Sequence, residues 1–213
     1  MRPREAVRGA RLILVTDPRL DLAARVEAAV CGGVDAVQLR EKRVPGEVRK
    51  DVLSLAEELR GICARGGVLF TVNDDIELAC QLGADGVHLG QEDEHPAKAR
   101  EILGPDAVMG CSAGSVGESR EALRAGADYL GVGTVFATPT KPDADVRGLA
   151  LVEEVARENL PVPWFAIGGI TRETAPEVAA AGAAGFAVVR AVLDAEDPEA
   201  ATRELRSLLS DPG

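Results

Sequence analysis

The chain has 213 residues, 46% of them apolar but only 3% aromatic, with a formal net charge of -11. That length can bury one large core, and an interior of Ala, Val, Leu and Gly suits parallel strands under helices better than an aromatic-rich β-sandwich. The acidic balance argues against nucleic acid or an anionic membrane as the main partner, although local cations or a metal ion can still hold a small anion. No apolar run reaches membrane-spanning length, and Met1 to Arg11 has no apolar core before a cleavage site, so the expected location is the cytoplasm. Cys31, Cys63, Cys80 and Cys111 form no Cys-x-x-Cys pair and read as small buried hydrophobes in a reducing compartment.

Apolar runs alternate with amphipathic stretches along the chain. The predicted strands are Leu12–Thr16, Ala36–Leu39, Val68–Val72, Gly86–Leu89, Ala107–Cys111, Tyr129–Val132, Trp164–Ile167 and Gly185–Val189. The helices between and after them are predicted over 20–31, 46–65, 75–82, 95–103, 116–125, 148–158, 172–181 and 191–209. An internal echo supports this parse: Gly33-Val-Asp, Gly83-Ala-Asp, Gly126-Ala-Asp and Gly182-Ala-Ala each lead into an even-numbered strand. Each reads as a helix C-cap glycine, a short turn and a buried strand. No linker divides the units, so one domain is expected over 1–213, with 1–10 as an N-terminal extension. Eight β/α units with short loops predict a (β/α)8 TIM barrel in the α/β class. An open doubly wound sheet is the alternative, but the first β-to-α turn lacks a Gly-rich dinucleotide fingerprint.

In such a barrel ligands bind where the strands end. Strand 2 runs into Gln38-Leu-Arg40-Glu-Lys42, and period two turns the amide and both cations the same way. Burying them there calls for an anion. Strand 3 ends at Asn73-Asp74-Asp75, where Asp75 can equally cap the next helix. Strand 4 is followed by Gly90-Gln91-Glu92-Asp93; Asp74 and Asp93, from adjacent strand ends, can share one Mg2+, which takes one or two carboxylates and completes its shell with water and phosphate oxygens. Ser112 adds a hydroxyl after strand 5. The loop after strand 6 carries Thr138, Thr140 and Lys141, two hydroxyls and an ammonium suited to a diphosphate, and Pro139 stiffens it. Gly168-Gly169 after strand 7, and Val189-Arg190 before a helix, match the recurrent phosphate site of this architecture. His88 and His95 have no nucleophile partner, and no zinc-ligand spacing exists. The inventory fits reactions in which a diphosphate leaves and electrostatics do the catalysis.

Five stretches in register carry a family resemblance: Gln38-Leu-Arg-Glu-Lys42, Val72-Asn-Asp-Asp75, Gly86-Val-His-Leu-Gly-Gln-Glu-Asp93, Thr138-Pro-Thr-Lys141 and Ala166-Ile-Gly-Gly-Ile170. Over about residues 10 to 195 the chain resembles thiamine phosphate synthase. The resemblance implies a transferase that joins hydroxymethylpyrimidine diphosphate to a thiazole phosphate, carboxylated or not, with Mg2+ required and pyrophosphate leaving before the thiazole nitrogen attacks. It implies that Gln38, Arg40, Lys42 and Asn73 hold the pyrimidine diphosphate and that Asp74 and Asp93 bind Mg2+. Ser112 and Lys141 would contact the diphosphate, with Lys141, Ser112 and Arg40 as the catalytic groups. Thr138 and Thr140 would reach the thiazole and pyrophosphate, while Gly169, Val189 and Arg190 would hold the thiazole phosphate. The implied partners are these small molecules; a monomer and a homodimer are both compatible.

Three positions depart from the family pattern. The loop opens Gly133-Thr134 where Gly-Pro is common, Ala113-Gly114 follows Ser112 where the superfamily often has a histidine, and Arg190 replaces a serine. The related thiazole tautomerase is the nearest rival, but it uses that histidine and needs no carboxylate pair. A non-catalytic precursor-binding barrel is the other, and it would be expected to lose the metal and leaving-group residues.

Overall fold

Alternate residues of each short strand carry opposite tasks, and this closes the architecture. The computed structural model describes residues 2–41 and 50–209. Its eight strands are β1 (Leu12–Val15), β2 (Ala36–Leu39), β3 (Leu69–Asn73), β4 (Gly86–Leu89), β5 (Val108–Ala113), β6 (Tyr129–Gly133), β7 (Trp164–Ile167) and β8 (Phe186–Val188). They form a closed parallel barrel in chain order, with β8 pairing back onto β1. Outward residues such as Leu12, Phe70, Met109, Leu130 and Trp164 pack under the helices. Inward residues, among them Ile13, Ala36, Val108, Tyr129 and Phe165, fill the lumen.

The helices are α1 (Pro3–Ala6), α2 (Leu22–Gly32), α3 (Lys50–Gly66), α4 (Ile76–Leu82), α5 (Pro96–Leu103), α6 (Val116–Arg124), α7 (Gly148–Arg157), α8 (Ala175–Ala180), α9 (Arg190–Leu193) and α10 (Pro198–Ser207). The predicted final helix over 191–209 is therefore two. Pro198 cannot continue a helix, and the Asp197 carboxylate caps the new one through the Ala200 amide at 3.0 Å. The predicted N-terminal extension contributes to the core. After α1, a 3-10 turn at Val7–Gly9 places Val7 and Ala10 in the lumen cluster, closing the end where the strands begin.

The glycine echo has a structural cause. Gly33, Gly83, Gly126 and Gly182 all have positive φ, which glycine alone adopts without strain. In three repeats the aspartate that follows takes the backbone amide of the neighbouring strand: Asp35 from Leu12 at 2.9 Å, Asp85 from Phe70 at 2.8 Å, and Asp128 from Met109 at 2.9 Å. The fourth repeat has Ala184 there.

Two of the four cysteines depart from the expectation of burial. Cys63 and Cys111 are buried, with thiols pushed up to about 12 by burial, whereas Cys31 and Cys80 are exposed on helices. Among the described residues no helix is long and apolar enough to cross a membrane.

Candidate active site

Parallel closure brings every strand's carboxyl end to one rim, so residues far apart in sequence share one mouth. On its floor lies a polar chain through the lumen. Gln38 donates from Nε2 to Tyr129 Oη at 3.4 Å, Tyr129 Oη lies 3.0 Å from His88 Nδ1, and His88 Nε2 lies 3.0 Å from Ser112 Oγ. Tyr129 fits because β5 carries Gly110 opposite it; a Cβ there would come within 2.1 Å of the phenol ring. Phe165 meets the same ring edge-on, with centroids 5.7 Å apart.

Burial lowers His88 to about 4, so the imidazole is neutral at pH 7, and burial also holds the Tyr129 phenol protonated. A neutral ring donates from one nitrogen and accepts at the other. With Gln38 donating to Oη, the phenol hydrogen goes to Nδ1, and Nε2–H then goes to Ser112 Oγ. The Ser112 hydroxyl hydrogen is left for a ligand in the mouth. His88 thus has both ring nitrogens satisfied, as a strand residue should.

This burial makes a pH prediction. The unfolded state takes up a proton at His88 near 6.5 but the folded state only near 4. The associated stability is complete above pH 6.5 and is lost as pH falls towards 4. The stability difference between the wild type and His88→Gln should therefore shrink by about 2 kcal/mol between pH 7.5 and pH 5, read by urea unfolding. An unchanged difference would mean that the folded ring is already protonated or solvated.

Above this floor stand the predicted anion and metal groups. Arg40 follows β2, anchored by its amide to Thr16 Oγ1 at 2.9 Å, and its Nη1 is buried without a hydrogen-bond partner among the described residues. Asn73 ends β3. Asp74 follows with φ 64, a left-handed conformation that aspartate tolerates, held by its amide on the His88 carbonyl at 2.8 Å. The Asp74 carboxyl faces the mouth, where loss of water and the neighbouring Asp93 carboxylate push it up to about 7, while Arg40 and Lys141 pull it down. Asp93, Arg40 and Lys141 thus all act on the Asp74 carboxyl. Asp93 also accepts the Gly90 amide at 2.6 Å, which closes its turn. Asp75 caps α4 through the Leu78 amide at 2.8 Å, the structural job open to it from sequence.

The loop after β6 is tied at its base. Val135 and Phe136 donate to the carbonyls of Ile167 and Gly168 at 2.9 Å, and the Arg147 amide returns to Thr134 at 2.7 Å. Gly168 and Gly169 have no room for a Cβ, which would strike Thr134 and Phe136. This close approach carries Thr138, Thr140 and Lys141 to the rim. Thr138 Oγ1 accepts the Thr140 amide at 3.3 Å, while Thr140 Oγ1 is buried without a partner.

At the ends of β7 and β8 the amides of Gly169, Val189 and Arg190 meet no backbone carbonyl among the described residues. Arg190 itself is placed differently from the expectation of a side-chain phosphate contact. Its Nε is held by Asp194 Oδ2 at 2.5 Å, and the same carboxylate binds Arg19 at 2.9 Å. Lys42 lies outside the described residues. Sequence reasoning missed Tyr129, and one signal was available: the chain's only tyrosine falls at an inward strand position opposite a glycine.

Two carboxylates, Asp74 and Asp93, lie near each other, and oxygen donors of this kind are what a hard divalent cation takes. Among the described residues no group of three or more His, Cys, Asp or Glu that could hold a metal ion is present.

Fold and rim together define the class: a (β/α)8 barrel with carboxylates, an arginine and a lysine gathered where its strands end. The family model for thiamine monophosphate synthase matches residues 12–192, and the chain belongs to that family. A thiamine-phosphate synthase of Synechococcus sp. (strain CC9311) is 48% identical over 211 residues, 97% of this chain and 59% of that protein. One from Bacillus velezensis is 43% identical over 86% of this chain and 82% of its own length. The solved thiamine phosphate pyrophosphorylase of Pyrococcus furiosus superposes with a TM-score of 0.83 at 38% identity, covering 96% of both chains. The chain thus spans less than two thirds of the Synechococcus relative.

Proposed function

We propose that the chain is a Mg2+-dependent thiamine phosphate synthase. It would join 4-amino-2-methyl-5-hydroxymethylpyrimidine diphosphate to 4-methyl-5-(2-phosphoethyl)thiazole, or its carboxylated form, releasing pyrophosphate. The observation that carries this reading is the Asp74–Asp93 pair set in one mouth with Arg40 and Lys141, beside donors at Arg40 Nη1 and Thr140 Oγ1 that have no partner.

In this reading the diphosphate lies between Arg40, Asn73, Ser112 and Lys141, and Gln38 at the lumen floor meets the pyrimidine; Lys42 is proposed as a further contact from sequence alone. The C–O bond to the pyrimidine methylene breaks first and both electrons leave with pyrophosphate. Lys141, Arg40 and the Ser112 hydroxyl stabilise the growing oxygen charge, so no protein nucleophile is required. The thiazole nitrogen then forms the new C–N bond, with the thiazole held by Thr138 and Thr140 and its phosphate by the amides of Gly169, Val189 and Arg190. Asp74 and Asp93 would hold Mg2+, which supplies positive charge for the diphosphate oxygens.

The deciding experiment is pyrophosphate release on mixing both substrates with Mg2+, with and without EDTA. Release that needs both substrates and stops with chelator is expected; no release in any mixture would overturn the reading. Asp93→Ala should raise the Mg2+ concentration for half-maximal rate by about tenfold or more, the scale of a lost ligand. An unchanged Mg2+ titration would remove Asp93 from the ligand set.

A further inference from the structure

A cavity of about 520 Å3 opens where the strands begin, at the end of the barrel opposite the candidate active site. Its wall includes Arg8, Arg11, Asn159, Trp164 and Ala184, and no carboxylate lines it, although the chain carries 35 acidic residues. The Arg11 Nε is buried and has no hydrogen-bond partner among the described residues. An unpaired, partly desolvated guanidinium is costly unless an anion completes it.

The internal repeat indicates what is missing there. Asp35 takes the Leu12 amide and also Arg206 at 2.8 Å; Asp128 takes the Met109 amide and also Arg100 at 2.8 Å and Arg4 at 2.9 Å. At these repeats a carboxylate joins the neighbouring strand to arginine. The fourth repeat has Ala184 in that place, so Trp164, which starts β7, meets no such carboxylate, and Arg11 and Arg8 form no salt bridge among the described residues.

We propose that this cavity binds a small organic anion, a carboxylate or phosphate group on a planar or apolar body. The anionic group meets Arg11 and Arg8 where the other repeats supply aspartate. The body lies against Trp164, Pro161 and Pro163. The volume is that of a small-molecule site, and a lining whose only charged side chains are Arg8 and Arg11 concentrates anions locally. The site is separate from the diphosphate mouth, and its occupancy does not depend on turnover.

Trp164 is the chain's only tryptophan and lines this cavity, so a change in its emission can be followed without a second indole. The probe is phenyl phosphate, with inorganic phosphate and phenol titrated separately to divide the anionic from the apolar contribution. Phenyl phosphate is expected to give a saturable change in Trp164 emission, weakened about tenfold or more in Arg11→Gln, the scale of one lost charge-assisted bond. In Ala184→Asp the change should disappear and Tm should rise, because the new carboxylate pairs with Arg11 as Asp35 and Asp128 pair with arginine. Pyrophosphate release should be unaffected in both variants. No saturable change in the wild type, or the wild-type half-saturation kept in either variant, overturns the proposal.

Discussion

Replacing Lys141 with alanine is expected to lower kcat about a hundred- to a thousandfold while leaving KM for the pyrimidine diphosphate within a few-fold, the scale seen when one preorganised transition-state donor is removed. The physical basis is where charge appears. On the proposed reading, the ground-state diphosphate would already meet Arg40 and a cation held by Asp74 and Asp93, whereas Lys141 would act on the departing group. The side chain is exposed, and its loop is held by backbone bonds from Val135, Phe136 and Arg147, so truncation removes the ammonium without releasing the loop. Single-turnover measurements separate the chemical step from product release. Equal, small changes in kcat and KM would place Lys141 outside the mechanism.

Gly110→Ala should be a strongly damaging single-methyl change in the barrel. The added Cβ would lie 2.1 Å from Tyr129 Cζ and 2.4 Å from its Oη, with the ring already held edge-on by Phe165 and bonded to His88 and Gln38. A filled lumen leaves the phenol no second rotamer, so the strand or the ring must shift, at a cost of about 3 kcal/mol or more. Because the ring carries the hydrogen bond that sets His88 and hence Ser112, activity should fall together with the urea midpoint. An unchanged midpoint would contradict the packing of Tyr129 against β5.

Much of the barrel was legible from the chain because its signals are local. Apolar runs of four or five residues, helix-capping glycines and period-two alternation each act over a few positions, and the observed strands lie within two residues of the predicted ends. The division of the last helix was legible too, since Asp197-Pro198 is a cap followed by a first-turn proline; amphipathic periodicity continued across it and masked the break. Asp75 shows the opposite situation. Its cap and its possible place beside a ligand were both open from sequence, and only the Leu78 amide decided for the cap.

By itself, then, the sequence determined the (β/α)8 order, the positions of the strand ends and the kinds of groups they carry, because backbone propensity and alternation are properties of short segments. Only the tertiary structure decided which groups meet. It joined Gln38, Tyr129, His88 and Ser112 across four strands, set Asp74 against Asp93, Arg40 and Lys141, and tied Arg190 to Asp194. It also turned the absence of one aspartate at Ala184 into a basic cavity. These are matters of barrel closure and burial, where distance through space rather than along the chain sets hydrogen bonding and charge.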